Sequence, residues 1–231
     1  MRLRWAPLLL VCALEACSGA VRFAEDRPGF HTVRRGDTLY SIAFRNELDW
    51  RALARWNAIG APYTLEIGRE LRLTPPAATR TPPAKQGPAS RAHPPSASRP
   101  APLPPPTVRL AWGWPAQGTL VARFKPGSAT ARGIDLAGVR GDAVRAASDG
   151  RVVYVGSGLV GYGKVIIVKH DDRYLSAYAH NDRFLVEEGA TVKRGQQIAA
   201  MGLGPGQRAL LHFEVRLDGR AIDPLPLLPK R

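Results

Sequence analysis

Cysteine is nearly absent from this chain of 231 residues, and its only two cysteines, Cys12 and Cys17, lie near the N-terminus. Blocks of like charge are also missing, and so is the aromatic-rich basic motif of a nucleic-acid-binding module. We therefore expect no nucleic-acid partner, although the formal net charge is +14. The basic excess suits an anionic surface such as a cell wall or lipid headgroups. The alternative is the surface of an ordinary soluble basic protein.

The first 16 residues have the pattern of a targeting segment. Arg2 and Arg4 form a positive start, and an apolar run follows from Trp5 to Leu14. This run is too short to span a bilayer, so it predicts a signal peptide rather than a membrane helix.

The end of that segment, Leu14-Glu15-Ala16-Cys17, resembles the lipobox of bacterial lipoproteins, with Glu15 as an unusual occupant. The resemblance implies a signal peptide over residues 1–16 and an acylated Cys17. Because Ser18 rather than an aspartate follows, it also implies anchoring in the outer membrane by this lipid. The mature chain would then have no free thiol and no disulfide. The alternative is an ordinary secretory signal, cleaved at another small residue such as Ala20.

Residues 17–30 are interpreted as an N-terminal tether, and residues 31–74 predict the first folded unit. A short strand leads into a helix for which Asp37 is the predicted N-cap, and Asp49 is the predicted N-cap of a second helix. A closing strand follows Gly68. Apolar residues recur at helical spacing in the two helices: Leu39, Ile42 and Ala43 in the first, Leu53 and Trp56 in the second.

This β-α-α-β unit resembles a LysM domain in its Gly36-Asp37-Thr38-Leu39, Trp56-Asn57 and Ile67-Gly68 motifs. The resemblance implies binding to the N-acetylglucosamine-containing glycan strands of peptidoglycan. The implied contacts lie in the loops after the first strand and after the second helix: Gly36, Asp37, Thr38, Asn57, Ala58 and Ile59. The alternative is that Asp37 only caps a helix and Asn57 only turns the chain. Both roles are compatible, since a sugar would contact the exposed backbone of such loops.

Residues 75–106 contain twelve prolines, four basic residues and no acid. Aromatic and β-branched residues are almost absent, so this segment cannot bury enough surface to fold. We predict a disordered, partly polyproline II linker, reaching roughly 100 Å at full stretch. A proline-rich ligand for a partner domain is the alternative.

Residues 107–231 predict a mostly-β unit. Asp149-Gly150 and Asp218-Gly219 are predicted turns, and the glycine-rich segment 156–163 is a predicted mobile loop or a plain hairpin connection. The predicted strands are Arg151–Val155, Lys164–His170, Tyr174–Ala179, Gln197–Met201 and Leu211–Leu217.

The last of these strands shows half of a metal site. Its alternation places Leu210, His212 and Glu214 on the face opposite the apolar residues. Histidines at both 210 and 212 could converge on one zinc ion, but leucine at 210 offers no ligand.

Together with Ala131-Arg132-Gly133-Ile134-Asp135 and Tyr178-Ala179-His180, this strand resembles the lysostaphin-like LytM metallopeptidases. In that family His-x-x-x-Asp supplies two zinc ligands, and His-x-His supplies a catalytic histidine and the third ligand. By that resemblance Ala131 replaces the first ligand and Leu210 the catalytic histidine. Asp135 and His212 match the remaining ligands, and His180 matches a further catalytic histidine.

Two surviving ligands, Asp135 and His212, are fewer than the three that catalytic zinc usually needs. We therefore expect no bound metal, no other cofactor and no catalysis. Considered alone, His212 would be interpreted as a hydrogen-bonded structural histidine.

A lipoprotein with a LysM domain and a degenerate LytM-type domain resembles division lipoproteins that activate a periplasmic cell-wall amidase. This implies a non-catalytic activator facing the periplasm at the division septum of a Gram-negative bacterium, whose vacated groove receives the amidase. The expected groove residues are Ala131, Arg132, Asp135, Tyr162, His180, Leu210, His212 and Glu214. Two alternatives stand: an active zinc endopeptidase with atypical ligands, and a passive peptidoglycan tether.

Overall fold

A computed structural model describes residues 26–76 and 110–231 of the chain. The predicted signal peptide, the lipidation site Cys17, most of the N-terminal tether and most of the proline-rich linker lie outside the described residues. Within the described ranges, no helix is both long enough and apolar enough to cross a membrane.

The first unit has the predicted β-α-α-β order. Its elements are strand β1 (Phe30–Thr32), helix α1 (Leu39–Arg45), helix α2 (Trp50–Trp56) and strand β2 (Glu70–Arg72). The two strands pair antiparallel, with His31 opposite Leu71. Leu39, Ile42 and Leu53 are fully buried, so the helical spacing seen in the sequence does mark the buried faces of both helices.

The start of α1 corrects one prediction, because its N-cap is Thr38 and not Asp37. The Thr38 hydroxyl accepts a hydrogen bond from the Ser41 backbone N–H at 3.1 Å, and the Ser41 hydroxyl accepts one from the Thr38 N–H at 2.9 Å. The Asp37 carboxylate is instead held by His31 at 2.7 Å and by Arg45 at 3.2 Å. Charge-assisted hydrogen bonds of this kind are stronger than those between neutral groups. The Asp37 carboxylate therefore bonds to His31 and Arg45, and the Thr38 side chain caps the helix. Asp49 caps α2 as predicted.

The second unit is antiparallel throughout and almost entirely β. Its strands are β3 (Thr119–Ala122), β4 (Ile134–Ala137), β5 (Ala143–Arg145), β6 (Gly150–Gly156), β7 (Val165–Lys169), β8 (Tyr174–Ala179), β9 (Asn181–Phe184), β10 (Thr191–Val192), β11 (Gln197–Met201), β12 (Leu210–Leu217) and β13 (Arg220–Ile222). The main sheet has the order β10-β6-β7-β8-β12-β4-β3, with β13 pairing with β12, and β5-β11-β9 form a small second sheet.

All five strands predicted from the sequence are present, as β6, β7, β8, β11 and β12. The turn at Asp218-Gly219 is also present, joining β12 to β13. The strands that were not predicted are two to four residues long. Segments of that length hold too few residues to show a period of two.

The main sheet is buried on both faces. On one face Ile166, Val168 and Tyr178 join the core of the second unit itself. On the other face Val165 and Ile167 pack with the helices of the first unit. This explains why β7 reads as a continuous apolar run, Val-Ile-Ile-Val, rather than as an alternation of apolar and polar residues.

Polar contacts also join the two units. Thr38 donates through its hydroxyl to the Val153 carbonyl at 3.2 Å, and Arg51 pairs with Asp218 at 2.8 Å. The positive-φ glycine of the β12–β13 turn, Gly219, lies against the backbone of Leu48 so closely that a Cβ atom would clash with it. The long predicted linker therefore joins two units that pack against each other, which the sequence did not reveal.

Candidate functional site

The pairing of β12 with β4 brings His212 and Asp135 together. The two residues are direct partners across the strands, so their side chains project from the same face of the sheet. Nδ1 of His212 and Oδ1 of Asp135 are 2.6 Å apart. The sequence placed these two residues at one site, and the structure does the same.

Ala131 and Leu210 stand where the related peptidases have histidines, and their side chains cannot bind a metal ion. Ala131 lies in the loop before β4, where its carbonyl accepts a hydrogen bond from the Lys125 N–H at 2.9 Å. Leu210 begins β12 and is 9% exposed. Its side chain packs so closely against Gly204 that a Cβ atom there would lie 2.9 Å from Leu210.

His180 borders the same face from the turn between β8 and β9. Its backbone has φ of 62° and is fixed by two hydrogen bonds, from its N–H to the Tyr162 carbonyl and from the Gly202 N–H to its own carbonyl. The rings of His180 and His212 are 6.3 Å apart between centroids. Burial lowers the pKa of His180, and the charge of His212 lowers it further, so His180 is neutral at pH 7.

The second nitrogen of His212 is also engaged by a carboxylate. Nε2 of His212 lies 3.1 Å from Oε1 of Glu214, which also accepts a hydrogen bond from the Tyr162 hydroxyl at 2.7 Å. Arg216 donates to the other Glu214 oxygen at 2.9 Å. Glu214 and Arg216 are fully buried, so the sheet face holds a connected network of four charged side chains.

Burial disfavours charge on His212, but its hydrogen bonds to Asp135 and Glu214 outweigh this effect and raise its pKa to about 9. Burial likewise disfavours charge on Glu214. The hydrogen bond from His212 and the charge of Arg216 nevertheless lower the Glu214 pKa to about 2. At neutral pH His212 is therefore an imidazolium held between two carboxylates.

These residues do not fit a zinc ion. Asp135 and His212 supply two ligands, whereas catalytic zinc usually needs three from the protein. Ala131 and Leu210 supply no ligand in compensation. Across residues 26–76 and 110–231, no three His, Cys, Asp or Glu side chains are grouped so that they could hold an ion.

The first unit covers part of the predicted groove. The ring of Phe44 packs edge-on against Tyr162, with 5.5 Å between centroids, and Glu47 forms an ion pair with Arg132. Arg132 and Tyr162 thus contact α1 and the turn after it, and Glu214 is fully buried. Leu210 is nearly buried, whereas Ala131, Asp135, His180 and His212 are each partly exposed.

Comparison with known proteins assigns each of the two units to a family. Residues 31–74 match the LysM domain and residues 129–224 match peptidase family M23. The chain is 45% identical to the Lipoprotein NlpD/LppB homolog of Pseudomonas aeruginosa, over 88% of this chain and 78% of that protein. The chain belongs to the NlpD/LppB lipoprotein family.

The chain is also 41% identical to the Uncharacterized lipoprotein YgeR of Escherichia coli, over 86% of this chain and 80% of that protein. With the Murein hydrolase activator NlpD of Salmonella typhimurium it shares 38% identity, over 87% and 68% respectively.

In this NlpD/LppB family member, the residues expected to contact glycan differ in their exposure and in their contacts. Asn57 has a structural role: its side chain donates to the Leu53 and Arg72 carbonyls and accepts from the Arg72 N–H, which ties α2 to β2. Ile59 is buried, whereas Gly36 and Ala58 are exposed. Asp37 and Thr38 line a cleft between the two units, together with residues 62–65 rather than 57–59.

The sequence missed Arg216, which fixes Glu214 and contacts the first unit. An arginine at an alternating position of a strand is normally interpreted as solvent-exposed, yet Arg216 is 0% exposed. One sequence feature could have indicated a buried ion pair: Glu214 lies two residues before Arg216 and therefore on the same face of the strand.

Proposed function

We propose that this protein is a non-catalytic, peptidoglycan-bound lipoprotein that activates a periplasmic N-acetylmuramoyl-L-alanine amidase during cell division and daughter-cell separation. The observation that carries the proposal is the state of His212. The surviving histidine of the peptidase strand is held between Asp135 and Glu214, and alanine and leucine occupy the positions of the missing histidines.

The names of relatives support the same role. Relatives 37–38% identical over 87% of this chain are named Murein hydrolase activator NlpD. An activator needs a binding surface rather than a reaction centre, and a folded M23-type unit can supply such a surface. The LysM domain supplies attachment to peptidoglycan, the material on which a murein hydrolase acts.

The amidase is proposed to bind at the partly exposed face formed by Ala131, Asp135, His180 and His212. Ala131 offers a small apolar surface, and Asp135 and His180 offer polar groups that can orient a partner. The lipid on Cys17 would hold the protein at the outer membrane, facing the periplasm at the septum.

A dye-release assay on purified peptidoglycan tests the activity. The protein alone should release nothing, and the protein with its cognate amidase should release more dye than the amidase alone. Chelator-sensitive release by the protein alone would instead show an active zinc endopeptidase. Absence of any stimulation would leave only the passive tether.

Metal analysis provides the matched control. The wild-type protein should bind no zinc at micromolar concentration, because only Asp135 and His212 are present as ligands and catalytic zinc usually needs three. The double variant Ala131→His, Leu210→His should gain zinc affinity, since it restores two imidazoles at the family positions. Stoichiometric zinc in the wild-type protein would contradict the proposal.

A further inference from the structure

The two units enclose a cleft of about 1230 Å³ on the side of the molecule that bears the LysM loops. One wall comes from the first unit and includes Thr38, Tyr40, Tyr63 and Thr64. The other comes from β6, β7 and the adjoining loops of the second unit. Small-molecule pockets are usually about 300–1,000 Å³, so the cleft has room for more than one small ligand unit. This size suits a segment of a polymer.

The wall on the first unit is aromatic. Tyr40, Trp50 and Tyr63 pack against one another, with ring centroids 5.0 to 6.4 Å apart. Tyr40 and Tyr63 line the cleft, and in the described part of the chain neither hydroxyl makes a hydrogen bond. Aromatic rings with free hydroxyls match a sugar, which has apolar ring faces and polar edges.

The opposite wall is charged, and most of its charges are already paired. Lys169 bonds to Asp172 at 2.9 Å, and Lys193 bonds to Asp149 at the same distance. Arg151 is different, since within residues 26–76 and 110–231 it forms neither an ion pair nor a side-chain hydrogen bond. Its guanidinium lies beside Gly189 at the rim of the cleft.

Arg151, Tyr40 and Tyr63 line the same cleft. The pKa of Tyr40 is raised to about 12 by burial and by the charges of Tyr63 and Asp172, and the charge of Arg151 opposes this rise. The free cation of the second unit and the free hydroxyl of the first unit therefore face the same space.

We propose that this cleft is a composite site for a peptidoglycan strand, in which the LysM loops hold the sugar rings and Arg151 of the M23-type unit holds a carboxylate of the attached lactyl-peptide group. The inference rests on the proposed glycan binding and extends it, because it makes the second unit part of the glycan site. Arginine suits this role, since its planar guanidinium binds a carboxylate through two hydrogen bonds.

The experiment is a calorimetric titration of the full protein with two probes. One is a soluble muropeptide, which carries stem-peptide carboxylates, and the other is an uncharged N-acetylglucosamine oligomer. Arg151→Ala should weaken muropeptide binding about tenfold and leave the uncharged oligomer nearly unaffected. Tyr63→Ala should weaken both.

Arg183→Ala is the matched control. This exposed strand arginine of the second unit lies outside the cleft, so its replacement should leave both affinities unchanged. Thermal midpoints of all variants should stay near that of the wild type, which excludes misfolding as the cause.

Three results would overturn the composite site in distinguishable ways. Unchanged muropeptide binding by Arg151→Ala would show that the LysM loops hold the glycan alone, with glycan binding itself intact. Equal losses for Arg151→Ala and Arg183→Ala would show a general effect of basic charge. Failure of the wild-type protein to bind either probe would refute the proposed glycan binding as well.

Discussion

Arg216 lies against the ring of Phe44, with 3.6 Å between the guanidinium carbon and the ring centroid, and it also donates to the Phe44 carbonyl at 2.8 Å. These two residues belong to different units of the chain. The same guanidinium holds Glu214, which in turn holds His212. A continuous set of contacts thus connects helix α1 of the LysM domain with strand β12 of the second unit.

The first prediction concerns the buried ion pair. Arg216→Met should destabilise the protein by about 3 kcal/mol, because it removes one of the charged partners of the buried Glu214 carboxylate. Denaturant unfolding measures this loss. Combining it with Glu214→Gln should recover part of the stability, and exposed Arg220→Met should change it by less than about 0.5 kcal/mol. A single variant as stable as the wild type would contradict the network.

The second prediction concerns the protonation of His212. Its folded pKa of about 9 lies above the ordinary 6.5. Its contribution to stability is therefore fully present below pH 6.5 and is lost as pH rises through 9. His180 has a lowered pKa, so in an NMR titration the two histidines should titrate on opposite sides of 6.5. A His212 midpoint at or below 6.5 would mean that the two carboxylates do not hold its proton.

The third prediction concerns the docking of the two units. Gly219→Ala should separate them, because the new Cβ would meet the Leu48 backbone at 2.3 Å. Small-angle scattering should show a larger radius of gyration, and hydrogen exchange in α1 should accelerate. Gly195→Ala is the matched control: it has a similar positive φ of 81° and no neighbour within 4 Å. Equal compactness of both variants would show that the contact is dispensable.

The fourth prediction concerns the proposed amidase site. His180→Asn should weaken amidase binding by roughly 2 kcal/mol, about thirtyfold, since it removes an aromatic side chain from the proposed binding face. Asparagine tolerates the positive φ at this position, so folding should be preserved. Leu210→Glu is a poorer test because Leu210 is nearly buried. Stimulation at the wild-type level by folded His180→Asn would place the activating surface elsewhere.

The fifth prediction concerns the anchor. If Cys17 carries the lipid, Cys17→Ser should release the protein from the membrane fraction or leave its signal peptide uncleaved, because acyl chains provide the attachment. Fractionation and the mass of the mature protein measure this. An unchanged distribution and an unchanged mass would indicate an ordinary secretory signal.

The sequence by itself determined the local structure of both units. The period-two pattern of residues 211–217 placed Leu211, Phe213 and Val215 in the core, where all three are 0% exposed. The helical spacing of Leu39 and Ile42 likewise identified the buried face of α1. Such patterns can be recognised in a sequence because side chains point in directions that repeat with a fixed period along a helix or a strand. The resemblance to LytM metallopeptidases, and not this periodicity, placed His212 and Asp135 at one site.

Only the tertiary structure decided what that site became. Contacts such as Phe44–Arg216 and Leu48–Gly219 join residues far apart in the chain, and no local periodicity encodes them. Docking of the first unit buries Glu214 and Arg216, and the low-dielectric surroundings strengthen their hold on each other. Burial by itself disfavours both charges, but the hydrogen bonds between His212 and its two carboxylates and the charge of Arg216 outweigh it, so Glu214 stays ionised and His212 stays protonated. The sequence thus identified the candidate site residues by resemblance, and the packing of two distant segments decided that His212 would be an ion-pair partner.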